Sequence, residues 1–520
     1  MTDSERPFDK LLIANRGEIA VRVIRGARDL GISTVAVFSD ADRTSRHVRM
    51  ADEAVRIGGS APADSYLSID AVLSAARETG ADAVHPGYGF LSENAKFARA
   101  CRENGIIFVG PSPEAIELMG DKIESRRTMK QAGVPIIPGA IDPLLDPDEA
   151  KRTADEIGYP VVIKAAAGGG GRGIRIVDSA DDLERAVQQA QEEAITAFGD
   201  GAVFVEKLLR PARHIEIQVV ADTRGNIVCL GERDCSAQRR RQKLVEESPA
   251  PGMSPQLRAR MEEAATNAAR ACDYTSTGTV EFLVWNDPGA PDGQNFAFLE
   301  MNTRLQVEHP VTELVRGVDL VQDQLRIAGG LPLGYTAAER PIRGWAMECR
   351  ITAEDPYLDF APSVGPIAWY READGPGVRL DSMLARGVGI SPFYDSLISK
   401  LITWGETREQ CIRRMKRALG EYLVIGVSTS IPFHQALMDD ERFRDGDIHT
   451  LYVEENEILD STDRPASGAE AALAAALFFH TQGERAESDR GGTQPRGRAW
   501  AQSARGRRFP VEQGWRRTTG

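Results

Sequence analysis

The chain has 520 residues, 42% of them hydrophobic and 27% charged, with 63 Lys and Arg against 77 Asp and Glu for a formal charge of −14. That length predicts about three or four domains and a core that needs no disulfide staples, and the ordinary apolar share excludes disorder of the whole chain. The acidic balance disfavours a nucleic-acid binder, and no apolar run approaches the roughly 18 residues of a membrane span. Cys101, Cys229, Cys235, Cys272, Cys349 and Cys411 lie without CxxC spacing, against a zinc site or a disulfide framework. The opening MTDSERPFDK lacks the basic and apolar regions of a secretory signal. The expectation is a cytoplasmic, reduced, multidomain protein with no nucleic-acid or membrane partner.

The first 120 residues alternate strand and helix signals. Apolar runs at 10–14 (KLLIA), 34–38 (TVAVF), 83–85 and 106–109 read as buried strands, and 18–30 has a helical rhythm stopped by Gly31. Short connections between them predict a parallel α/β unit with right-handed crossovers. In the region 121–335, the segment 159–164 (YPVVIK) is strand-like and runs into AAAGGGGRGIR. The segments 203–207 and 214–220 alternate as half-buried antiparallel strands do, and 279–285 and 296–301 repeat the pattern across the polar loop 286–295. This predicts an α+β domain with an antiparallel sheet. A third block, 340–455, mixes strands at 345–351 and 397–404 with a helix near 408–419. Beyond 463 the sequence turns Ala-rich, then Arg-, Gly-, Gln- and Ser-rich; 469–479 is consistent with a short helix and 481–520 with disorder.

Several residues in this frame suit chemistry. The run Gly168, Gly169, Gly170 and Gly171 can let backbone N–H groups approach a phosphate, or form a bland surface hairpin. Lys164, ending an apolar strand just before it, favours the phosphate reading. Glu281 and Glu300 interrupt consecutive apolar strands where burial of a carboxylate needs a cation. With Asn302 they offer the hard oxygens Mg²⁺ takes, unless each simply faces solvent. In 300–310, EMNTRLQVEHP, strand alternation would aim Asn302, Arg304, Gln306 and Glu308 to one side. Arg304 has the planar fork for a carboxylate or carbonate, and Glu308 can act as a general base. Arg239, Arg240, Arg241 and Lys243 form a basic cluster suited to a solvated face, an oligomer contact or anionic ligands. Cys235 within it has no neighbouring histidine to activate it and reads as a buried thiol. His85 and His214, taken alone, read as packing residues.

Taken together, these segments resemble the biotin carboxylase family, the ATP-grasp component of biotin-dependent carboxylases. The resemblance runs from about Phe8 to Glu455 and rests on KLLIANRGEIAVRVIR, HPGYGFLSEN, GPSPEAIELMGDK, VVIKAAAGGGGRGIRI, RHIEIQVV, GERDCSAQRR, EMNTRLQVEHPVTE, ECRITAEDP and YDSLISKLITWG, in the family's order. It implies an N-terminal pre-ATP-grasp α/β domain over 7–120, an ATP-grasp domain over 121–335 with a glycine-rich lid at about 136–204, and a C-terminal domain over 340–455. It implies ATP contacts from Lys122, Lys164, the glycine lid, Glu206, Lys207, Leu209, His214 and Gln238, and Mg²⁺ or Mn²⁺ ligands in Glu281, Glu300 and Asn302. A bicarbonate pocket would comprise Lys243, Arg304, Gln306 and Val307, with Glu308 as base and Arg350 stabilising the biotin enolate. The implied activity is ATP-dependent carboxylation of biotin with bicarbonate, with another ATP-grasp carboxylate ligase or a nucleotide-binding scaffold as alternatives. Implied partners are a biotin carboxyl carrier protein, carboxyltransferase subunits and a second copy in a homodimer.

Three departures bear on this. The insertion-like loop 286–295 separates the two metal-type glutamates further than in compact relatives, which a hairpin tip tolerates. Arg241 stands where many relatives have His, a change on the nucleotide side. No Ala/Val-Met-Lys-Met biotin-attachment sequence occurs, and Met129-Lys130 and Met415-Lys416 sit in helical contexts, so biotin is expected on a separate carrier. The charge is also uneven. Residues 464–520 hold 10 Arg and 5 Asp or Glu for a net +5, leaving −19 on residues 1–463. Two readings stay open for this basic segment, a docking linker and a bland end. Deleting 464–520 is expected to spare carboxylation of free biotin; weakened assembly with partner subunits, measured by co-purification, marks the docking reading.

Overall fold

In the N-terminal region five parallel strands stand in the order β3-β2-β1-β4-β5, namely β1 (Lys10–Ile13), β2 (Ser33–Ser39), β3 (Glu53–Gly58), β4 (Ala83–His85) and β5 (Ile107–Phe108). The computed structural model describes residues 6–165, 174–198, 201–385 and 387–459, all within one compact unit. The glycine run 168–171 and everything from 460 onward, including 469–479, lie outside the described residues. Four of the five strands coincide with the expected apolar runs. β3 was not expected, because EAVRIG sits at the sheet edge with mostly accessible side chains and so carries no continuous apolar run. Helix α1 (Gly17–Asp29) follows β1, with Glu18 in its first turn and Arg28 in its last. Gly31, at φ +70°, ends the turn after it as expected. Gly26 lets α1 approach a later helix closely, since a Cβ there would lie 2.9 Å from Val321 Cγ1.

The middle region opens with α2 (Lys122–Gln131), whose N-terminus is capped by the Asp121 carboxylate. A small antiparallel sheet follows in the order β7-β6-β8, from β6 (Val161–Ala165), β7 (Ile174–Val177) and β8 (Val203–Lys207). The largest sheet has eight antiparallel strands. It takes β9 (Arg213–Ala221), β10 (Ile227–Arg239), β11 (Gln242–Ser248), β12 (Ser276–Asn286) and β13 (Gln294–Asn302) from the middle region. β14 (Trp345–Thr352), β15 (Val378–Ser382) and β16 (Leu397–Gly405) come from the C-terminal block, in the order β13-β12-β9-β10-β11-β14-β16-β15. The strands of the third block therefore extend the same sheet, joined where Val245 pairs with Cys349 and Ser248 with Ala346.

The half-buried reading of 203–207 and 214–220 is corrected here: β8 and β9 are buried on both faces apart from single end residues. On one face of β9 and β12, Ile215, Ile217, Val219, Val280, Phe282 and Val284 pack under α3 (Pro255–Ala271), against Leu257, Met261, Ala265 and Ala268. On the other face the polar members His214, Glu216, Gln218, Thr279 and Glu281 are buried too. Alternation thus separates an apolar core from a buried polar face, not core from solvent. Short helices α4 (His309–Arg316) and α5 (Leu320–Ala328) complete this layer, and α6 (Arg408–Glu421) packs on β16. All six cysteines are free and buried. Among the described residues no helix is long and apolar enough to cross a membrane.

Phe282 is fully buried and meets Phe296 and Phe298 edge-on at 5.3 and 6.5 Å between ring centres. Phe282→Ala is expected to destabilise the chain by about 3–5 kcal/mol, read as a lower denaturant midpoint.

Candidate functional site

A cavity of about 1480 Å³ opens above the polar face of β9, β12 and β13. Its walls come from all three regions: Asn15, Tyr88 and Glu93 from the first, Lys122, Lys164 and Glu206 from the middle, and Arg350 and Tyr394 from the C-terminal block. Strand register builds its floor. Glu216 of β9 stands opposite Glu281 of β12, which stands opposite Glu300 of β13, so three carboxylates lie side by side across three strands. Like charges directly opposite repel, and such a row persists only if cations are built into it.

Lys243 is the main one. Its Nζ donates to Glu216 Oε2 at 2.7 Å, Glu281 Oε1 at 2.9 Å and Glu308 Oε1 at 2.6 Å. It stands there because β10 and β11 join through Arg240 and Arg241, both at positive φ as a tight two-residue hairpin requires. Arg233, fully buried, supplies the second charge. Its Nε donates to Glu216 Oε1 at 2.5 Å, and its other nitrogens donate to Gln218, Thr279, Gln306 and Thr312. Gln306 donates in turn to Glu281 Oε1 at 2.8 Å. Arg350 supplies the third charge, donating from Nη2 to Glu308 Oε2 at 3.0 Å and from Nε to Glu246 Oε1 at 2.6 Å. Glu308 precedes α4 as its N-cap residue, where the helix dipole also favours a negative charge.

The electrostatics follow. Burial favours the neutral form of Glu308, but Lys243, Arg350 and Arg233 hold it well below the usual carboxylate range. Burial is likewise outweighed at Glu281 by Lys243 and His214, whose Nε2 lies 3.1 Å from Glu281 Oε2. Burial disfavours the charge on Lys243, and Cys235 and the glutamates around it more than offset this, keeping the ammonium well above its ordinary value. Glu300 goes the other way, raised by its partial removal from bulk water inside the cavity and by Glu281 and Glu93.

The expected residues divide as follows. Lys122, Lys164, Glu206, His214, Gln238, Lys243, Glu281, Glu300, Asn302, Arg304, Gln306, Val307, Glu308 and Arg350 all line the one cavity. The Lys207 ammonium instead donates to the carbonyls of Gly158 and Tyr159, and Lys207 and Leu209 are not part of the lining. The expectation that both metal-type glutamates are buried holds for Glu281 only; Glu300 is accessible from the cavity, because β13 is the sheet edge. Simple alternation along 302–308 is also corrected, since the chain leaves β13 after Asn302 and Thr303 and Val307 line the cavity as well. Lys164 pairs with Glu206, which also takes Arg126 at 2.6 Å. The Arg304 fork is engaged by Glu93 at 3.0 Å and Asn302 at 2.9 Å. The basic cluster splits: Arg239 and Arg240 pair with Asp359, Arg241 lines the cavity and Lys243 enters its floor. Cys235 is a buried thiol whose pKa is raised well above its ordinary value, first by burial and then by Glu216; its Sγ lies 3.9 Å from Glu308 Oε1. His85 is a packing residue, 3.2 Å from Gln324.

Glu216, Arg233, Glu246 and Glu93 were missed. Glu216 was legible as the middle of the polar series His214, Glu216, Gln218 along one strand face; Arg233 and Glu93 had no local signal. A divalent cation fits the donor set: Glu281 and Glu300 are cross-strand neighbours with Asn302 one strand step on, and the Asn302 amide nitrogen is buried without a partner, so the side chain has capacity to reorient. The alternative cluster of His214, Glu216 and Glu281, with ligand atoms within 4.8 Å, already receives the Lys243 ammonium.

These features define an ATP-grasp enzyme. Residues 121–336 match the family model for the carbamoyl-phosphate synthase L chain ATP-binding domain, 7–116 the biotin carboxylase N-terminal domain and 348–455 the biotin carboxylase C-terminal domain. The chain belongs to the biotin carboxylase family. It is 52% identical to biotin carboxylase 1 of Bacillus subtilis, covering 87% of this chain and 99% of that one. It is 54% identical to a pyruvate carboxylase subunit of Methanothermobacter thermautotrophicus, covering 86% and 90%. Similarity to the propionyl-CoA carboxylase alpha chain of Ruegeria pomeroyi, at 46% identity, covers 97% of this chain and 77% of that one. Among solved structures, the biotin carboxylase domain dimer of Hydrogenobacter thermophilus 2-oxoglutarate carboxylase, in complex with MgADP, ADP and bicarbonate, superposes with a TM-score of 0.79 at 50% identity, covering 86% and 97%.

Removing Lys243 leaves three buried carboxylates short of a cation. Lys243→Met is expected to cost about 3–5 kcal/mol near neutral pH. Glu281 and Glu308 have depressed native pKa values, so their ion-paired stabilisation is fully present above the unfolded carboxylate range and is lost only as pH falls through the lower native values. Without Lys243 the acids take up protons more readily, so the deficit in thermal midpoint should shrink between pH 8 and pH 5.

Proposed function

We propose that the chain carboxylates biotin with bicarbonate at the expense of ATP, giving carboxybiotin, ADP and phosphate. The observation that carries this is Glu308, a buried carboxylate clamped between Lys243 and Arg350 at the wall of a cavity that also holds Arg304 and Gln306. ATP would lie along Lys122, Lys164, Glu206, His214 and Gln238, with Lys207, Leu209 and the glycines at 168–171 as further contacts. Glu281, Glu300 and Asn302 would hold Mg²⁺ or Mn²⁺. The ion supplies neutralisation of the phosphate oxygens.

Bicarbonate would sit against Lys243, Arg304, Gln306 and the Val307 backbone. Arg304 must exchange a bond to Glu93 or Asn302 to receive it. A carboxylate gripped as tightly as Glu308 is a poor base while Lys243 and Arg350 are both on it. An incoming anion that takes over part of those cations raises its basicity where the proton must be accepted. The bicarbonate oxygen then attacks the γ-phosphorus of ATP, releasing ADP and forming carboxyphosphate. This breaks down to CO₂ and phosphate, which takes the ureido proton. Arg350 would stabilise the negative charge developing on the ureido oxygen as nitrogen captures CO₂.

A biotin carboxyl carrier protein bearing the acceptor biotin is part of this proposal; Met129 and Met415 are buried within helices, so neither Lys130 nor Lys416 offers an attachment hairpin. Carboxyltransferase subunits, homodimerisation, a cytoplasmic setting and domain limits at 7–120, 121–335 and 340–455 belong to the same proposal. Glu308→Gln or Arg304→Ala should lower bicarbonate- and biotin-dependent ADP release by about 100-fold or more, while ATP still binds by calorimetry. Loss of ATP binding in both, or no biotin stimulation of the intact chain, would count against the reading.

A further inference from the structure

Behind Arg350 lies a pair of acids that the proposed reaction does not use. Glu246 of β11 and Glu348 of β14 stand opposite each other in register, and both are fully buried. Glu246 Oε1 accepts from Arg350 Nε at 2.6 Å and lies 2.5 Å from its Nη2. Glu246 Oε2 and both oxygens of Glu348 take no hydrogen bond from the described residues. The lysine that bears on Glu348 from the far side, Lys400, is committed elsewhere. It donates to the Val307 carbonyl at 2.9 Å and lies 3.4 Å from Glu18 and 3.8 Å from Asp381. A buried carboxylate with neither donor nor paired cation is too costly to keep ionised, so Glu348 is a neutral acid beside a charged one.

We infer that Glu246 is a positioning residue for the carboxylation proposed above: as a carboxylate it grips the Nε–Nη2 edge of Arg350, with neutral Glu348 keeping a single negative charge behind the guanidinium. The inference rests on that functional reading. Its mechanistic reason is the fate of Glu308. Free of substrate, Arg350 is held from two sides, by Glu308 in front and Glu246 behind. Once Glu308 accepts the bicarbonate proton, its negative charge is gone. Glu246 is then the anion that still fixes the arginine, at the stage when Arg350 must face the carboxyl acceptor. Burial pushes the Glu246 carboxyl up to about 7, with Arg350 opposing and Glu308 adding to the rise. The other groups facing the pair are Lys243 on its own strand, Cys235 on β10, Cys349 on β14, Lys400 on β16 and Tyr88, which follows β4. Protonation of Glu246 as pH falls through about 7 loosens Arg350, so biotin-dependent turnover should decline on the acid side.

The test uses the full chain with MgATP, bicarbonate and free biotin, following ADP release from pH 6 to 9. Glu246→Gln should lower kcat for the biotin-dependent reaction about tenfold or more, as loss of an outer-shell partner does, with KM for MgATP at the wild-type value and the acid limb near pH 7 gone. Glu246→Asp, which keeps the charge, should recover part of kcat and retain the limb. Glu348→Gln, a neutral amide for a neutral acid, should retain the limb as well. The inference is overturned if Glu246→Gln keeps wild-type kcat and pH profile, or if Gln and Asp variants lose kcat equally with a raised KM for MgATP and a lowered melting midpoint. A wild-type chain without biotin-stimulated ADP release overturns the functional reading itself, and this inference with it.

Discussion

The site depends on one ammonium group among three carboxylates. Register alone places Glu216, Glu281 and Glu300 in a row across β9, β12 and β13. At an effective dielectric of about 20, two like charges 4 Å apart repel by about 4 kcal/mol, enough to unpair strands or protonate the acids. Lys243 bridges two members of the row and adds Glu308 from outside the sheet. Arg233 backs it from within. Glu281 and Glu308 can therefore stay charged in a buried setting, which on the proposed function is the condition for gripping a metal-bound phosphate and a bicarbonate in one cavity.

That arrangement requires strands distant in the chain to be locked together. Lys243 is aimed by the tight β10–β11 hairpin, whose two central arginines adopt positive φ although neither is glycine. Such a turn is strained by itself and is held by its surroundings: Arg239 and Arg240 reach Asp359, and the Arg240 N–H donates to Glu454 at 2.6 Å. The C-terminal block thus does more than cover the cavity. It clamps the hairpin that carries Lys243 and, through β14, brings Arg350 and Glu246 together from adjacent strands of the same sheet.

The parts legible in the sequence were those with local signals. Apolar runs marked β1, β2, β4 and β5, and the alternation of 214–220 marked a strand with one polar face. The dense segment 300–310 announced Asn302, Arg304, Gln306 and Glu308 because so many polar types crowd a strand end. What escaped had only long-range causes. β3 is an exposed edge. Arg233 looks like any charged residue until the fold turns it inward to meet Gln218, Thr279 and Gln306 from three other segments. Glu300 was expected inside because its neighbours are apolar, but it lies on the edge strand, where only one side is covered. The pairing of Glu246 with Arg350 spans 104 residues and leaves no periodic trace.

If Glu308 is the base, as proposed, the same geometry explains how a strongly acidic group can serve as one. In isolation, the cations that keep Glu308 ionised also make it reluctant to take a proton, so binding and proton transfer demand opposite things of Lys243 and Arg350. The conflict is resolved if the cations are shared and not owned. Lys243 divides its three donors among Glu216, Glu281 and Glu308, and Arg350 divides its edge between Glu246 and Glu308. An arriving anion can draw on both without either leaving its place, because Glu216 and Glu246 remain to hold them. Under that proposal, proton affinity at Glu308 would rise when substrate is present, coupling base strength to occupancy of the pocket and sparing the free enzyme idle protonation.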